Sequence, residues 1–223
     1  MHLYSPETII KSYALGVFPM AKSRDDHRIF FVNPKQRGII PLAPPRLTRS
    51  MRRLLRHPPY RLTINRAFAH VVDGCLSRPE TWINPPIRQM YLALHRLGFA
   101  HSIETWRISD NPTTPPQLVG GIFGIALGGA FFGESMYSTA TNASKLALLQ
   151  LIARLIYGGF TLFDVQFTTP HLKQFGARDI SRHQFQKHLE AALMADAHMP
   201  LNDNDGRGKD MFLQLLHERT LIS

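Results

Sequence analysis

The sequence predicts an α/β protein of the α+β type, with a mostly antiparallel sheet flanked by helices. Three observations favour this class. Strand-like apolar segments alternate with segments of helical periodicity, two strand-like segments are spaced as a hairpin, and Gly-Gly pairs mark turns in the second half. With 223 residues, 44% of them hydrophobic and 19% charged, the chain can bury a sizeable core.

A small N-terminal domain is predicted over residues 1–57. Its first helix covers residues 5–15, because Ser5 is a good N-cap and a proline follows it. Residues 29–47 are rich in proline and strand-like. A basic helix over residues 48–57 follows, and two prolines end it.

A second domain is predicted over residues 58–199, in which helices and strands alternate. Its strands are expected at 60–65, 100–108, 117–127, 130–137 and 160–167. Its helices are expected at 66–76, 86–97, 142–157 and 181–194. Residues 200–223 are polar at first and are predicted to form a tail with a short last helix.

Positive charge is concentrated in one window. The formal net charge is +10, and residues 27–72 hold ten basic residues and no acidic one. Four of them follow the spacing of one helix face, where guanidinium groups repel one another unless a polyanion neutralises them. This favours binding to nucleic-acid phosphates over a solvated basic surface. The window contains Arg28, Lys35, Arg37, Arg46, Arg49, Arg52, Arg53, Arg56, Arg61 and Arg66, and the helix face is Arg49, Arg52, Arg53 and Arg56.

Several classes of protein are excluded by what the sequence lacks. The single cysteine, Cys75, rules out an internal disulfide and a cysteine-based metal cluster, and it is expected to be a small buried residue rather than a nucleophile. No nucleotide-binding loop, zinc-protease motif or serine-hydrolase motif occurs, and the scattered histidines predict no metal site. Because neither a signal peptide nor a membrane-length apolar segment is visible, we expect a cytoplasmic protein without membrane contact.

Two polar clusters interrupt apolar strands and are the candidates for chemistry. In the first, strand alternation predicts that Phe132, Glu134 and Met136 share one face. In the second, Asp164 and Gln166 are two residues apart and point the same way. A carboxylate beside an amide on an inner strand can hold an ammonium group and relay a proton, but it can equally be a satisfied buried hydrogen-bond pair.

Short motifs spread over most of residues 5–185 make the sequence more specific. They are GVFPM at 16–20, TWI at 81–83, GFAHSIETW at 98–106, LVGGIFG at 118–124, FGESMYS at 132–138, NASK at 142–145, DVQ at 164–166, HL at 171–172 and GA at 176–177. In this order they resemble the bacterial leucyl/phenylalanyl-tRNA–protein transferases. The resemblance implies a GNAT-like acyltransferase domain after the small N-terminal domain.

The resemblance also implies a reaction. Leucine, and also phenylalanine or methionine, would pass from aminoacyl-tRNA to the N-terminal Arg or Lys of a protein, which marks that protein for degradation. Because the aminoacyl ester is already activated toward an amine, no cofactor is expected. The basic helix would hold the tRNA by its phosphates. By this resemblance the tRNA-binding residues are Arg46, Arg49, Arg52, Arg53 and Arg56.

By the same resemblance Asp164 and Gln166 are the catalytic residues. Asp164 would orient Gln166 and the incoming ammonium, and Gln166 would help to take the proton. An amide is a poor base, so removal of the proton by Asp164, through Gln166 or a water, is expected to be easier. Glu134 would anchor the donor end or its α-amino group.

The remaining residues implied by the resemblance bind the aminoacyl end. Trp82 would stack on the terminal adenine, and Ser138 belongs to the same set. Ile122, Phe131 and Met136 match an apolar pocket for the amino-acid side chain, as does Leu151, for which core packing is preferred. Core packing is the alternative for all of these pocket residues.

Two other functions are weighed against this one. An acetyl-CoA-dependent N-acetyltransferase would have an R-x-x-G-x-G/A turn for pyrophosphate, and no R-x-x-G occurs in this chain. An RNA-binding module without catalysis would explain the arginines. It would leave Glu134, Asp164 and Gln166 on apolar strands unexplained.

Overall fold

The computed structural model describes residues 4–43 and 48–201, which form an α+β fold, as predicted. The helices are α1 (Pro6–Ala14), α2 (Arg49–Arg56), α3 (Phe68–Leu76), α4 (Pro85–Arg96), α5 (Ala143–Tyr157), α6 (Pro170–Lys173) and α7 (Arg182–Leu193). The strands are β1 (Phe18–Met20), β2 (Phe30–Val32), β3 (Gln36–Ile39), β4 (Arg61–Ile64), β5 (Ala100–Arg107), β6 (Gln117–Leu127), β7 (Ala130–Ser138), β8 (Leu162–Gln166) and β9 (Arg178–Ser181).

One seven-stranded sheet organises these elements, in the order β4-β5-β6-β7-β8-β3-β9. Neighbouring strands in it are antiparallel except for β7 and β8, which are parallel and are joined by α5. The prediction of a mostly antiparallel sheet flanked by helices is therefore confirmed. Strands β1 and β2 form a separate two-stranded ribbon.

Helix starts follow the chemistry of the residues that precede them. The side chain of Ser5 accepts the N–H of Thr8, and the side chain of Thr48 accepts the N–H of Met51. Ser181 forms a reciprocal capping box at α7. The predicted helices that begin at these three caps are confirmed.

The third strand was not foreseen as part of the large sheet. β3 lies between β8 and β9, with Gly38 opposite Gln166 and Gln36 opposite Ser181. β3 lies in a segment that was predicted only as proline-rich and strand-like, and neither β3 nor β9 shows the alternation of apolar and polar residues that marks a strand. The predicted domain boundary after residue 57 stays a prediction, and the sheet crosses it. The predicted tail from residue 202 onward lies outside the described residues.

Two hydrophobic cores lie on opposite faces of the sheet. The first core packs α1, α3, α4 and α7 on one face, and the second core packs α2 and α5 on the other. Consecutive residues of β6 show the division, because Phe123 lies in the first core and Ile122 in the second. The polar network around Glu134 that is described below belongs to the first face.

A β-bulge interrupts the pairing of β6 with β7. Phe123 lies opposite Ser135, but the next residue, Gly124, lies opposite Gly133. The extra residue is Glu134, which has no partner across the strands. A bulge redirects the side chains of its strand.

The bulge makes one sequence prediction wrong. Phe132 lies in the first core, whereas Met136 packs against the second, so these two do not share a face. Glu134 stays on the side of Phe132, where it reaches Tyr13 and Tyr91. Simple alternation failed because one extra residue reverses the order of the faces.

Candidate active site

Glu134 is the centre of a buried polar network. Its side chain is 7% exposed. The hydroxyl of Tyr13 on α1 donates to Oε1 at 2.8 Å, and the hydroxyl of Tyr91 on α4 donates to Oε2 at 2.5 Å. The amide Nε2 of Gln166, at the end of β8, donates to Oε1 at 3.3 Å. Three separate elements thus converge on one carboxyl group.

The environment of Glu134 brings its titration into the neutral range. Burial raises the pKa of Glu134 to about 7, although the hydroxyls of Tyr91 and Tyr13 act in the opposite direction. Burial, followed by the charge of Glu134, raises the pKa of both tyrosines well above its ordinary value, so both remain hydrogen-bond donors. Glu134 can therefore take up or release a proton near pH 7.

Asp164 is fully occupied by a buried ion pair. Arg37 donates from Nε to Oδ1 at 2.9 Å and from Nη2 to Oδ2 at 2.6 Å. Oδ1 also accepts the backbone N–H of Gln166 at 2.8 Å. Asp164 is 0% exposed and Arg37 is 1% exposed. This geometry does not support the expectation that Asp164 removes a proton from the substrate, because the carboxylate has no exposed surface.

Gln166 has an unusual backbone conformation. Its φ is +56°, in the left-handed region that non-glycine residues other than Asn and Asp seldom adopt. The bond from its N–H to Asp164 holds this conformation and ends β8. Backbone strain of this kind is concentrated at functional sites.

The network lies where the two parallel strands separate. The last paired residues of β7 and β8 are Phe132 and Asp164. Glu134 and Gln166 each come two residues later, where β7 continues beside β6 and β8 beside β3. The sequence predicted that Asp164 and Gln166 lie together, and the structure adds Glu134 to them.

Trp82 is half-buried beside the network. Its ring meets that of Tyr91 edge-on, with centroids 6.3 Å apart. Trp82 also lines a cavity of about 750 Å³ with Met20, Ser77 and residues 79–81. Ser138 lies at the exposed end of β7, where its hydroxyl donates to Ala140 O at 2.8 Å.

The predicted apolar pocket residues lie on the other face of the sheet. Ile122, Phe131 and Leu151 are buried in the second core. Met136 is half-buried at the edge of this core. Their role in holding a substrate side chain stays a prediction, as does that of Ser138.

The basic helix forms as predicted and presents its arginines to solvent. Met51 and Leu55 are buried beneath α2. A cavity of about 650 Å³ separates α2 from the start of α5, and its basic lining residues are Arg53, His57 and Lys145. The exposed arginines of α2 are Arg49, Arg52, Arg53 and Arg56.

Two of the six basic residues of the window outside α2 affect the predicted tRNA-binding surface. Arg46 lies outside the described residues. Arg37 is buried against Asp164, so its inclusion in a phosphate-binding surface is wrong. The sequence could not show this, because the two partners are 127 residues apart.

Three residues of the network were missed as functional residues. Helical periodicity accounts for the buried ring of Tyr13 on α1 but gives no signal for its hydroxyl. Tyr91 gave no signal beyond helical periodicity, and Arg37 gave none beyond charge. Their contacts with Glu134 or Asp164 join distant parts of the chain.

Other candidate sites carry no chemistry in the described residues. Cys75 is buried, and burial raises the pKa of its thiol to about 12, which disfavours a thiolate nucleophile. Among residues 4–43 and 48–201, no cluster of three or more His, Cys, Asp or Glu side chains could hold a metal ion. No helix in this part of the chain is long and apolar enough to span a membrane.

A carboxyl group of near-neutral pKa and an amide meet where two strands part on one face of the sheet, and α2 carries exposed arginines on the other face. This combination fits a transferase that acts on an amine and binds a polyanion. The family model described as leucyl/phenylalanyl-tRNA protein transferase matches residues 39–190, and the chain belongs to this family.

Relatives with the name leucyl/phenylalanyl-tRNA–protein transferase agree with this assignment. The protein of Phenylobacterium zucineum is 49% identical over 198 residues, covering 87% of this chain and 86% of its own. That of Ruegeria pomeroyi is 50% identical over 188 residues, covering 84% and 86%. That of Maricaulis maris is 49% identical over 201 residues, covering 88% and 90%. The resemblance predicted from the motifs is confirmed, and the family is one of aminoacyltransferases rather than acetyl-CoA-dependent enzymes.

Proposed function

We propose that the chain transfers leucine, and also phenylalanine or methionine, from aminoacyl-tRNA to proteins that begin with Arg or Lys. The product is a protein with a new N-terminal residue that marks it for degradation in the cytoplasm. The observation that carries the proposal is the meeting of Glu134 and Gln166, within 3.3 Å, at the opening between β7 and β8. Membership of the family supports the identity of the substrates.

The first requirement of the reaction is a free amine. The α-ammonium of an acceptor has an ordinary pKa of about 7.7–8.0, close to the pKa of about 7 of Glu134. Because the two values are similar, proton transfer from the ammonium to Glu134 costs little. Glu134 is therefore the group that takes the proton, and this replaces Asp164 in that role.

Gln166 holds the amine in place. Its NH₂ group faces the carboxylate of Glu134, so its carbonyl oxygen is left to accept a hydrogen bond from the amine. Asp164 does not touch the substrate in this scheme. It orients Gln166 through the backbone N–H.

The bond changes balance without a cofactor. The neutral amine attacks the ester carbonyl carbon of the aminoacyl group, and a C–N bond forms. The C–O bond to the ribose of the terminal nucleotide then breaks, and the proton held by Glu134 passes to the released ribose oxygen. The nitrogen loses its second proton as it becomes an amide, and the Glu134 carboxylate takes up this proton and passes it to water. The protein contributes position and proton transfer, because the ester is already activated.

Binding of the tRNA is assigned to the exposed face of α2. Arg49, Arg52, Arg53 and Arg56, with Arg46, contact phosphates, which gives affinity without reading the tRNA sequence. Trp82 stacks on the terminal base. Ile122, Phe131 and Met136 form an apolar pocket for the aminoacyl side chain, and Met136 approaches it from the edge of the second core. Ser138 lies at the rim of this pocket.

A direct assay tests this function. The purified protein is incubated with leucyl-tRNA and four peptides that begin with Arg, Lys, Asp or Ala, and mass spectrometry detects the addition of one leucine. We expect addition to the Arg and Lys peptides alone, and no addition with uncharged leucine and tRNA. Addition to the Asp peptide alone would contradict the proposed acceptor, and no addition to any peptide would contradict the transfer itself.

A further inference from the structure

Arg37 is the most deeply buried cation among the described residues, and the proposed mechanism gives it no role. Its guanidinium is bonded along its edge to Asp164, and Nη1 donates to Gly16 O at 3.0 Å. Its central carbon lies 4.5 Å from the ring centroid of Phe18 and 4.4 Å from that of Phe185. Hydrogen bonds and two aromatic rings thus fix both the position and the plane of the group.

Burying an ion pair between two strands costs desolvation free energy. Its desolvation cost can equal or exceed its attraction, so apolar residues would often stabilise the fold as well. Stability alone therefore does not explain the pair, and its role follows from the contact of Asp164 with Gln166.

Asp164 passes the constraint to Gln166. The oxygen that accepts Arg37 Nε also accepts the N–H of Gln166, whose φ of +56° needs such a restraint. The strand of Arg37 also presses against the residues that follow. A Cβ on Gly38 would lie 2.9 Å from the backbone of Phe167 and Thr168. The side chain of Gln166 then projects toward Glu134.

We propose that Arg37 is a positioning residue for the transfer reaction: it clamps Asp164, which holds the turn that aims the amide of Gln166 at Glu134. The proposal rests on the proposed function, in which Gln166 holds the acceptor amine. Lysine cannot replace Arg37, because a single ammonium group cannot hold both carboxylate oxygens and Gly16 O in one plane.

The variant Arg37→Lys tests the clamp with two kinds of measurement. The first is hydrogen exchange of the Gln166 backbone amide, followed by NMR without any substrate. The second is the single-turnover rate of leucine transfer at saturating leucyl-tRNA and peptide, per folded molecule. We expect the Gln166 amide to exchange about 10-fold faster or more, and the rate to fall about 10- to 100-fold, as when supporting residues of other sites are lost. The affinity for leucyl-tRNA is expected to stay within about twofold, because α2 is untouched.

A matched control separates positioning from stability. Val72→Ala removes part of a fully buried side chain of the same core on α3, a helix that carries none of the partners of Arg37. It lowers the melting temperature and is expected to leave the Gln166 amide protected and the rate per folded molecule near wild type. If Arg37→Lys does not fold, Arg37→Gln, which keeps one planar amide donor, is measured in the same way.

Three results would overturn the clamp. One is an Arg37 variant that transfers leucine at the wild-type rate per folded molecule. Another is an equal loss of rate in Val72→Ala. The third is unchanged exchange of the Gln166 amide in an Arg37 variant, and because this measurement needs no substrate it tests the clamp even if the wild-type protein transfers nothing and the proposed function fails.

Discussion

Glu104 and Glu134 are two buried carboxyl groups in the same sheet, and only Glu134 is proposed to take part in the reaction. Glu104 on β5 is 0% exposed and Glu134 on β7 is 7% exposed. Burial raises the pKa of both. Glu104 accepts the hydroxyls of Ser102 and Thr63, both at 2.5 Å, from its own strand and the next.

The difference between the two is their place in the sheet. Glu104 is paired on both sides, with Thr63 on β4 and Gly121 on β6. Glu134 is the unpaired residue of a bulge, and its partners come from helices and from the end of β8. Burial and a raised pKa therefore do not by themselves mark a catalytic group. The proposal for Glu134 rests instead on its position where β7 and β8 separate.

The largest effect is expected on removing Gln166, whose side-chain amide donates to Glu134, whereas the side chains that donate to Glu104 are hydroxyls. Gln166→Ala should lower the transfer rate by about 10²- to 10⁴-fold, because the amine loses its anchor. Alanine is chosen rather than glycine, because glycine would also relax the restriction on the backbone at this position. Single-turnover transfer measures the effect, and Gln150→Ala, which removes a buried amide from α5, is the matched control with a rate near wild type. Equal loss in both variants would contradict the role of Gln166.

The arginines of α2 should affect binding rather than rate. Replacing Arg49, Arg52, Arg53 and Arg56 by Ala should weaken tRNA binding about 10- to 100-fold and reduce the slope of log affinity against log salt by up to about 3. Filter binding at several salt concentrations measures both quantities. Lys187→Ala, on the exposed side of α7, is the control. An unchanged salt slope would exclude contacts with phosphates.

The pH dependence separates the two carboxyl groups. Transfer should increase with pH and level off above about 7, the pKa of Glu134, because the carboxylate form takes the proton. In Glu104→Gln the profile should be the same. The measurement is the single-turnover rate between pH 5 and pH 9. A profile that shifts in Glu104→Gln would contradict the comparison.

Stability should change with pH in the opposite direction. The pKa of Glu134 is raised from 4.5 to about 7 on folding, so the folded state binds a proton that the unfolded state has released. Its contribution to stability is complete below pH 4.5 and is lost as the pH rises through 7, by at most about 1.4 kcal/mol per pH unit. Urea unfolding of Glu134→Gln beside wild type isolates this slope. A wild-type slope equal to that of the variant would contradict the assignment.

The smallest effect is expected at Tyr91. Its hydroxyl lowers the pKa of Glu134, so Tyr91→Phe should raise this pKa further and move the rate profile to higher pH by about one unit. The rate at pH 7 then falls several-fold and recovers in alkaline buffer. Tyr60→Phe, which loses a hydroxyl bonded to Thr141 O near the surface, should leave the profile in place. A loss of rate that alkaline buffer does not restore would contradict this explanation.

The sequence predicted the elements whose causes are local. Caps at Ser5, Thr48 and Ser181, helical periodicity and the basic face of α2 depend on residues a few positions apart. Strand alternation also predicted that Asp164 and Gln166 lie close together, although their hydrogen bond joins the carboxylate to the backbone N–H and the side-chain amide reaches Glu134 instead. The motifs predicted the family.

What was missed depends on contacts between distant residues. The bulge at Glu134 is decided by how β6 and β7 pair, so alternation placed Met136 on the wrong face. Arg37 was counted as a surface cation because only the folded chain brings it to Asp164. The hydroxyls of Tyr13 and Tyr91 are invisible in helical patterns, which register only their rings.

The single-turnover rate of leucine transfer in Glu134→Gln and Glu104→Gln tests the central claim most directly. Each variant replaces one buried carboxyl group by an amide of the same shape in the same sheet. The account predicts that Glu134→Gln loses most of its activity and its rise with pH, while Glu104→Gln keeps both per folded molecule. Wild-type transfer by Glu134→Gln, or an equal loss in both variants, would contradict it.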